Sequence, residues 1–346
     1  MYENSPADLS FPFTVVSAFC GAGGSSTGYE LAGGRVLAAI EWEQNSVETY
    51  RLNHPETIVL HQDIATVSGE EILNLIEMQP GELDILDGSP PCQGFSTMGK
   101  RQIEDPRNQL FKEYVRLLKE LKPKVFVMEN VSGLVKGKMK PVFVEILQSL
   151  KDCGYRVKAR LMNAQYYGVP QRRKRVIFIG VRNEFNIEPS HPNPQTLPII
   201  LKDALQGLKS PLEVLRPKGN AAKLAECLKP GEDGANLRTR FGGKEQDYSL
   251  ERLSWHKVAP TICKTVRPGQ CGLLHPDENR YLSTAELKRI ASFPDDYEFV
   301  GSLEEHWARI GNSVPPKMMQ AIAEHIRDHI LLKPELRSYK AHAESA

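Results

Sequence analysis

Up to Arg182 the chain alternates short β-branched apolar runs with amphipathic stretches, and this rhythm restricts the fold more than any other feature. The runs are TVVSAF (14–19), VLAAIEW (36–42), TIVLHQDI (57–64), LDILDG (83–88), KVFVMENV (124–131), YRVKARLMN (155–163) and RVIFIGV (175–181). Helical stretches lie between several of them, among them NQLFKEYVRLLKELK (108–122) and MKPVFVEILQSLKDCG (139–154). Strand, helix, strand in this order predicts an α/β fold with a mostly parallel, doubly wound sheet covered by helices on both faces. Ligands of such sheets bind at the carboxyl ends of the strands.

Beyond Arg182 the texture changes. SHPNPQTLPI (190–199) is proline-rich, and KPGEDGANLRTRFGGKEQD (229–247) is glycine-rich and polar, which reads as a smaller, loop-rich second unit. A helix resumes at STAELKRIASF (283–293), where Ser283 and Glu286 have capping-box spacing. A last helix, KMMQAIAEHIRDHILL (317–332), follows GNSVPP, and the tail from Glu335 reads as frayed.

Composition excludes several classes. The chain has 346 residues, enough for two ordinary domains, with 40% apolar and 25% charged residues, as in soluble globular proteins. No apolar run approaches the roughly 20 residues of a membrane span. The start, MYENSPADLSFPF, lacks the basic and apolar regions of a secretory leader. The cysteines at 20, 92, 153, 227, 263 and 271 stand singly without a C-x-x-C pair, so neither a metal site nor a disulfide framework is expected, and a reducing cytoplasm is. With a net charge of +1 the molecule is no polycation, so nucleic-acid binding requires basic residues gathered on one face.

Three strand ends converge on one ligand class. The first strand runs into FCGAGGSSTG (19–28), whose glycines allow a sharp turn close to a ligand. Glu41 ends the second strand, where an acid can take both hydroxyls of a ribose, and Asp63 ends the third, within reach of an adenine amino group. The spacing departs from the dinucleotide fingerprint, because Ser26 stands at the third glycine position. A glycine loop alone would be only a tight strand-to-helix turn; with Glu41 and Asp63 it reads as an adenosine site.

The fourth strand leads into DGSPPCQGFS (87–96). Pro90 and Pro91 hold Cys92 on a fixed corner, while Gly94 frees the chain beyond. The fifth strand ends in MENV with Glu129, beside Cys92 if the two strands are adjacent and parallel. QRRKRV (171–176) leads into the seventh strand and adds fixed positive charge, which favours a thiolate. A carboxyl group there can hydrogen-bond or protonate a ring nitrogen.

On FCGAGG, EW (41–42), DI (63–64), GSPPCQGFS, ENV (129–131), QRRKR, RYLSTAE (280–286) and GNSVPP (311–316), in that order, the chain resembles the bacterial-type DNA (cytosine-5)-methyltransferases. The resemblance extends from Val15 to Ile330; only 190–255 lacks recognisable motifs, where that family carries its variable recognition region. It implies a Rossmann-like methyltransferase domain over 1–189, completed by 305–346, with target recognition in 190–285 and a hinge at 286–304.

It further implies Cys92 as nucleophile, Glu129 on N3 and the amino group of cytosine, Arg175 on the base oxygen, and Arg173 supporting the thiolate pocket. The implied methyl donor is S-adenosyl-L-methionine, released as S-adenosyl-L-homocysteine. Its site would comprise Phe19, Gly21, Gly23, Gly24, Glu41, Trp42, Asp63, Ile64, Pro90, Leu110, Asn312, Ser313 and Val314. The implied partner is double-stranded DNA, touched by Gln93, Ser96, Lys100, Arg101 and Arg107 around the loop after Cys92 and by Arg238, Arg240 and Lys244 in the smaller unit. A monomer in a bacterial cytoplasm, phage-encoded or not, at the nucleoid is expected, with no membrane, and a separately acting cognate restriction endonuclease is a companion the resemblance allows. No metal is expected. The competing readings are an RNA cytosine-5 methyltransferase, an enzyme methylating an exocyclic amino group, and a family member that binds DNA without chemistry. Cys92 in place of an aromatic residue speaks against amino-group methylation, the intact QRRKR against the RNA reading, and intact Cys92, Glu129 and Arg175 against loss of catalysis.

Overall fold

A computed structural model describes residues 12–91, 106–209, 211, 213–234 and 250–336, with 106–109 and 138 as backbone only. Cys92, Gln93, Ser96, Lys100, Arg101, Arg238, Arg240 and Lys244 lie outside the described residues, and Arg107 among those given as backbone.

The seven apolar runs form one sheet: β1 (Thr14–Ala18), β2 (Arg35–Glu41), β3 (Ile58–His61), β4 (Ile85–Gly88), β5 (Val125–Val131), β6 (Tyr155–Asn163) and β7 (Lys174–Arg182), in the order β3-β2-β1-β4-β5-β7-β6. Side chains alternate across it, as the two-residue strand period requires. Val125 and Val127 of β5 join Val15, Ile177 and Ile179 on one face, while Phe126 and Met128 join Val16, Leu86 and Phe178 on the other. The first face is covered by α1 (Gly24–Leu31) and by apolar residues from 318 to 336. The second face is covered by α3 (Gly69–Leu75), α4 (Pro106–Leu121) and α5 (Lys140–Lys151), with α2 (Gln44–Asn53) preceding β3.

One strand departs from the expected direction. β7 is antiparallel to both β5 and β6, whereas the other neighbouring pairs of the sheet are parallel. The segment 164–173 joining β6 to β7 is shorter than the dozen or more residues a parallel crossover needs. The reversal serves the site. It puts the start of β7 beside the end of β5, with Arg175 opposite Val131 and Ile177 opposite Glu129.

The second unit has its own apolar core around Leu201, Leu250, Ile262, Leu274, Tyr281 and Ile290, built on α6 (Leu201–Ala204), α7 (Asn220–Cys227), the parallel pair β8 (Leu250–Arg252) and β9 (Gly272–Leu274), and α8 (Thr284–Ile290). Ser283 and Glu286 form the expected capping box. The chain then returns through α9 (Leu303–Asn312) and α10 (Pro316–Ile326), which a π-helical turn, Arg327–Leu331, extends. α10 packs against α1, and a Cβ on Gly28 would stand 2.5 Å from Met319 Cβ. Within the span read as a hinge, Tyr297 donates to the Ala22 carbonyl, Asn45 of α2 to the Val300 carbonyl at 2.7 Å, and the Glu298 amide to Asn53 at 2.9 Å.

Candidate active site

A cleft of about 880 Å³ opens where β1, β2, β4 and β5 end. Of the expected cofactor set, Phe19, Gly21, Gly24, Glu41, Trp42, Pro90, Asn312, Ser313 and Val314 line it. Gly23, Asp63, Ile64 and Leu110 lie off the lining. Gly23 has φ +86°, and the space a Cβ would fill is taken by His54 and the Tyr297 hydroxyl, so it serves the turn. Asp63 is exposed and caps a 3₁₀ turn, accepting from the Ala65 amide at 3.0 Å. Ile64 is buried and Leu110 packs against the core under α4.

Long-range packing explains the loop's sequence. A Cβ on Gly24 would stand 2.4 Å from the Val314 carbonyl oxygen, so this glycine lets the C-terminal return meet the start of α1. Gly311 is the counterpart, since its Cβ would stand 2.4 Å from the Cys263 carbonyl oxygen. Phe19, at the tip of β1, holds a left-handed φ of 57°, rare for a non-glycine residue and concentrated at functional sites.

Glu41 is nearly buried. Its Oε2 accepts from the Gly21 amide at 2.9 Å, and its Oε1 from the Trp42 and Glu43 amides at 3.0 Å each. Burial raises its carboxyl above the ordinary value, against the pull of these amides. Trp42 is 75% exposed at the rim and offers a free aromatic face.

At the other end, β4 and β5 are parallel neighbours with Asp87 opposite Val127 and Gly88 opposite Met128. Glu129 therefore follows level with the loop that leads to Cys92, and Asn130 ties that loop down by donating to the Pro90 carbonyl at 3.3 Å. Arg175 reaches across from β7 and pairs through Nε with Glu129 Oε1 at 2.6 Å, both side chains being largely buried on the cleft wall.

Arg173 is buried with its side chain committed to the backbone, Nη1 donating to the Ile262 carbonyl at 3.2 Å and Nη2 to Gly311 at 2.9 Å. It knots the start of β7 to APTI (259–262) and GNSVPP. Burial, with Arg175 beside it, lowers its guanidinium to about 9. Gln171 shares the knot, accepting from the Ile262 amide at 3.2 Å.

Several cleft residues carried no expectation. Glu43 and Arg309 face each other across one wall, and Lys136 and Lys264 stand exposed on the lining and form no ion pair among the described residues. Glu43 lies two residues after Glu41 and Arg309 two before GNSVPP, a proximity to motifs that could have marked them. Asp87 is buried beneath the cleft, accepting from Ser17 Oγ and the Tyr29 hydroxyl at 3.1 Å each. Among the described residues no cluster of His, Cys, Asp and Glu could hold a metal, and no helix is long and apolar enough to cross a membrane.

The C-5 cytosine-specific DNA methylase family matches residues 13–328. The Type II methyltransferase M1.HphI of Haemophilus parahaemolyticus is 36% identical over 90% of this chain and 86% of its own. M.NgoPII of Neisseria gonorrhoeae, another Type II methyltransferase, is 32% identical over 94% and 98%. Among solved structures, a prophage-encoded Escherichia coli protein, described provisionally as a DNA modification methyltransferase, superposes with a TM-score of 0.72 at 26% identity, covering 92% of this chain and 99% of that one. A DNMT2 variant of Spodoptera frugiperda, at 20% identity and a TM-score of 0.67, shares the fold. With its mostly parallel seven-stranded sheet, its cleft at the strand ends and this match over nearly its whole length, the chain belongs to the C-5 cytosine-specific DNA methylases.

Proposed function

We propose that this enzyme methylates carbon 5 of a cytosine flipped out of a specific duplex sequence, with S-adenosylmethionine as donor and through a covalent bond from Cys92. The observation that carries the reading is the Arg175–Glu129 pair at 2.6 Å, in a cleft that Pro90 and Pro91 line just before the thiol. A base edge with a carbonyl oxygen, a ring nitrogen and an amino group matches a guanidinium and a carboxyl group side by side.

The chemistry follows from the base. Carbon 5 of cytosine is a poor nucleophile. Addition of the Cys92 thiolate to carbon 6 pushes the ring electrons to carbon 5, and Glu129 stabilises the adduct at N3 by donating a proton. Carbon 5 then takes the methyl group. Loss of its proton to water returns an electron pair to the ring; the bond to Cys92 then breaks, restoring the thiolate, and N3 gives its proton back to Glu129. Arg175 holds the base oxygen, and Arg173 fixes the backbone around it. Inside a duplex the ring faces are covered, so the base must leave the stack, at a cost of a few kcal/mol.

The cleft fits the donor. A Cβ on Gly21 would meet nothing within 4 Å, leaving room for a ligand against the backbone. Glu41 stands at the end of β2 for the ribose, and Trp42 offers a face to a ring or a cation. When bound, S-adenosylmethionine supplies an electrophilic methyl group.

The unit 190–285 reads the DNA, with Arg238, Arg240 and Lys244 at base edges. Gln93, Ser96, Lys100, Arg101 and Arg107 hold the strand around the flipped nucleotide, and Lys136 and Lys264 are placed for phosphates. The Type II methyltransferases among the relatives support a protective role within a restriction-modification system. Incubating unmethylated DNA with the protein and S-adenosylmethionine, followed by bisulfite sequencing, tests the reading. Protection of one cytosine in one short sequence is expected. Labelling of RNA alone, or of nothing, overturns it.

A further inference from the structure

Arg309 has no part in the chemistry above, yet it stands on the cleft wall beside Glu41 and Asn312. It lies on α9, the helix that leaves the second unit. Trp307 and Ile310 of the same helix are buried in that unit's apolar core, and Trp307 Nε1 donates to the Cys263 carbonyl at 2.9 Å. Its guanidinium crosses to the turn after β2. Nη2 donates to Glu43 Oε1 at 2.6 Å, and Nη1 to Glu43 Oε2 and to Ser46 Oγ. Ser46 in turn donates to Glu43 Oε2 at 3.1 Å. The arrangement is a two-pronged guanidinium–carboxylate pair, the geometry that fixes orientation as well as distance.

What the pair holds is the turn carrying Glu41. Glu43 is the residue before α2, and its amide donates to Glu41 Oε1 at 3.0 Å together with the Trp42 amide. The Glu41 carboxylate thus takes its direction from a backbone segment that Arg309 fixes from a position 266 residues away. The Arg309 side chain is about 10% exposed, so water screens the pair little from its side, although Glu43 is 43% exposed.

We propose that Arg309 is a positioning residue for the cofactor: through Glu43 it sets the Glu41–Trp42 turn against the ribose, and it makes the cofactor site depend on α9 and so on the docking of the recognition unit. The proposal rests on the reading of Glu41 as the ribose acid.

Calorimetric titration with S-adenosylhomocysteine tests it on the full-length protein. Arg309→Gln should weaken binding about tenfold or more, the loss of one charge-assisted hydrogen bond's worth of preorganisation. Arg309→Lys, which keeps a cation opposite Glu43, should recover most of the affinity. Glu43→Gln should weaken binding in the same direction, and Arg309→Gln/Glu43→Gln should bind no worse than the weaker single variant, because both remove one pair. DNA affinity measured without cofactor should stay within twofold of wild type for Arg309→Gln. At saturating cofactor kcat should be little changed while the cofactor KM rises. An Arg309→Gln affinity for S-adenosylhomocysteine within twofold of wild type overturns the proposal. So does a loss that lysine does not rescue and that DNA affinity shares in equal measure. If wild type itself fails to bind S-adenosylhomocysteine, the cofactor reading is what fails.

Discussion

Asp87→Asn should change how stability depends on pH, in a direction and by an amount that the structure sets. The Asp87 carboxyl is buried under the cleft between β1, β4 and α1. Burial raises it from 3.8 to about 7; the hydroxyls of Ser17, Tyr29 and Ser25 pull it down, and the nearby Glu129 charge pushes it further up. Below about pH 3.8 folded and unfolded chains both hold the proton, and the contribution to stability is complete. As pH rises from there the unfolded chain gives up its proton first, so folding loses free energy until about pH 7, where the folded carboxyl ionises too. The whole loss is about 4 kcal/mol, of which roughly 2.5 kcal/mol falls between pH 5 and pH 8. Asparagine carries no such titration. The Ser17 and Tyr29 hydroxyls can turn to accept from its amide, and any misfit is an offset independent of pH. Urea unfolding of both proteins at pH 5, 6, 7 and 8 should show Asp87→Asn gaining on wild type by about 2 to 3 kcal/mol across the range. Titrating groups not coupled to Asp87 cancel in that difference. A difference constant within about 0.5 kcal/mol would mean that Asp87 ionises normally despite its burial.

Other consequences can be checked separately. Glu41→Ala should weaken S-adenosylmethionine binding by roughly 1.5–3 kcal/mol, or about 10- to 150-fold in a calorimetric titration, because charged hydrogen bonds to the ribose are lost. Gly24→Ala forces a methyl group against the Val314 carbonyl and should cost about 1–3 kcal/mol of stability, seen as a lowered melting temperature together with weaker cofactor binding; an unchanged melting temperature would show that the C-terminal return gives way freely. Grafting 190–255 from a relative of different specificity should move the methylated sequence, as bisulfite sequencing would report; an active chimera that kept the original sequence would place recognition elsewhere.

The sheet was legible because each strand is a compact apolar run, and the alternation seen in VFVMEN matches the two faces that Val125, Val127, Phe126 and Met128 occupy. The direction of β7 was not legible from its residues. Its signal lay in the short segment 164–173, which leaves no room for a crossover helix. Glu41 and Glu129, singled out because strand ends are where such sheets bind ligands, both line the cleft. The long-range packing that other residues serve was not legible. Gly24 and Gly311 are glycines because Val314 and Cys263 lie against them, and no local pattern records that contact. Arg173 carried a chemical expectation from its motif, but its Nη atoms hold the Ile262 and Gly311 carbonyls, far along the chain. Asp87 sits in a strand whose pattern marks it as interior, and only the fold brings Ser17 and Tyr29 to its carboxyl. Arg309 and Glu43 are two residues from recognisable motifs, yet their pairing spans most of the sequence.

The central claim is the covalent bond from Cys92 to carbon 6, followed by loss of the carbon-5 proton. Fluorine at carbon 5 cannot leave as a cation. A duplex carrying 5-fluorocytosine at the methylated position should therefore trap the protein as an adduct that survives denaturing electrophoresis. The adduct should require S-adenosylmethionine, because elimination is blocked only once the methyl group is in place. Cys92→Ser should give none, since a hydroxyl is a far weaker nucleophile near neutral pH, and Glu129→Gln should form it slowly. The account predicts a stable, cofactor-dependent adduct that contains Cys92. A protein that methylates carbon 5 of the ordinary site, yet yields no adduct on the fluorinated one, contradicts it.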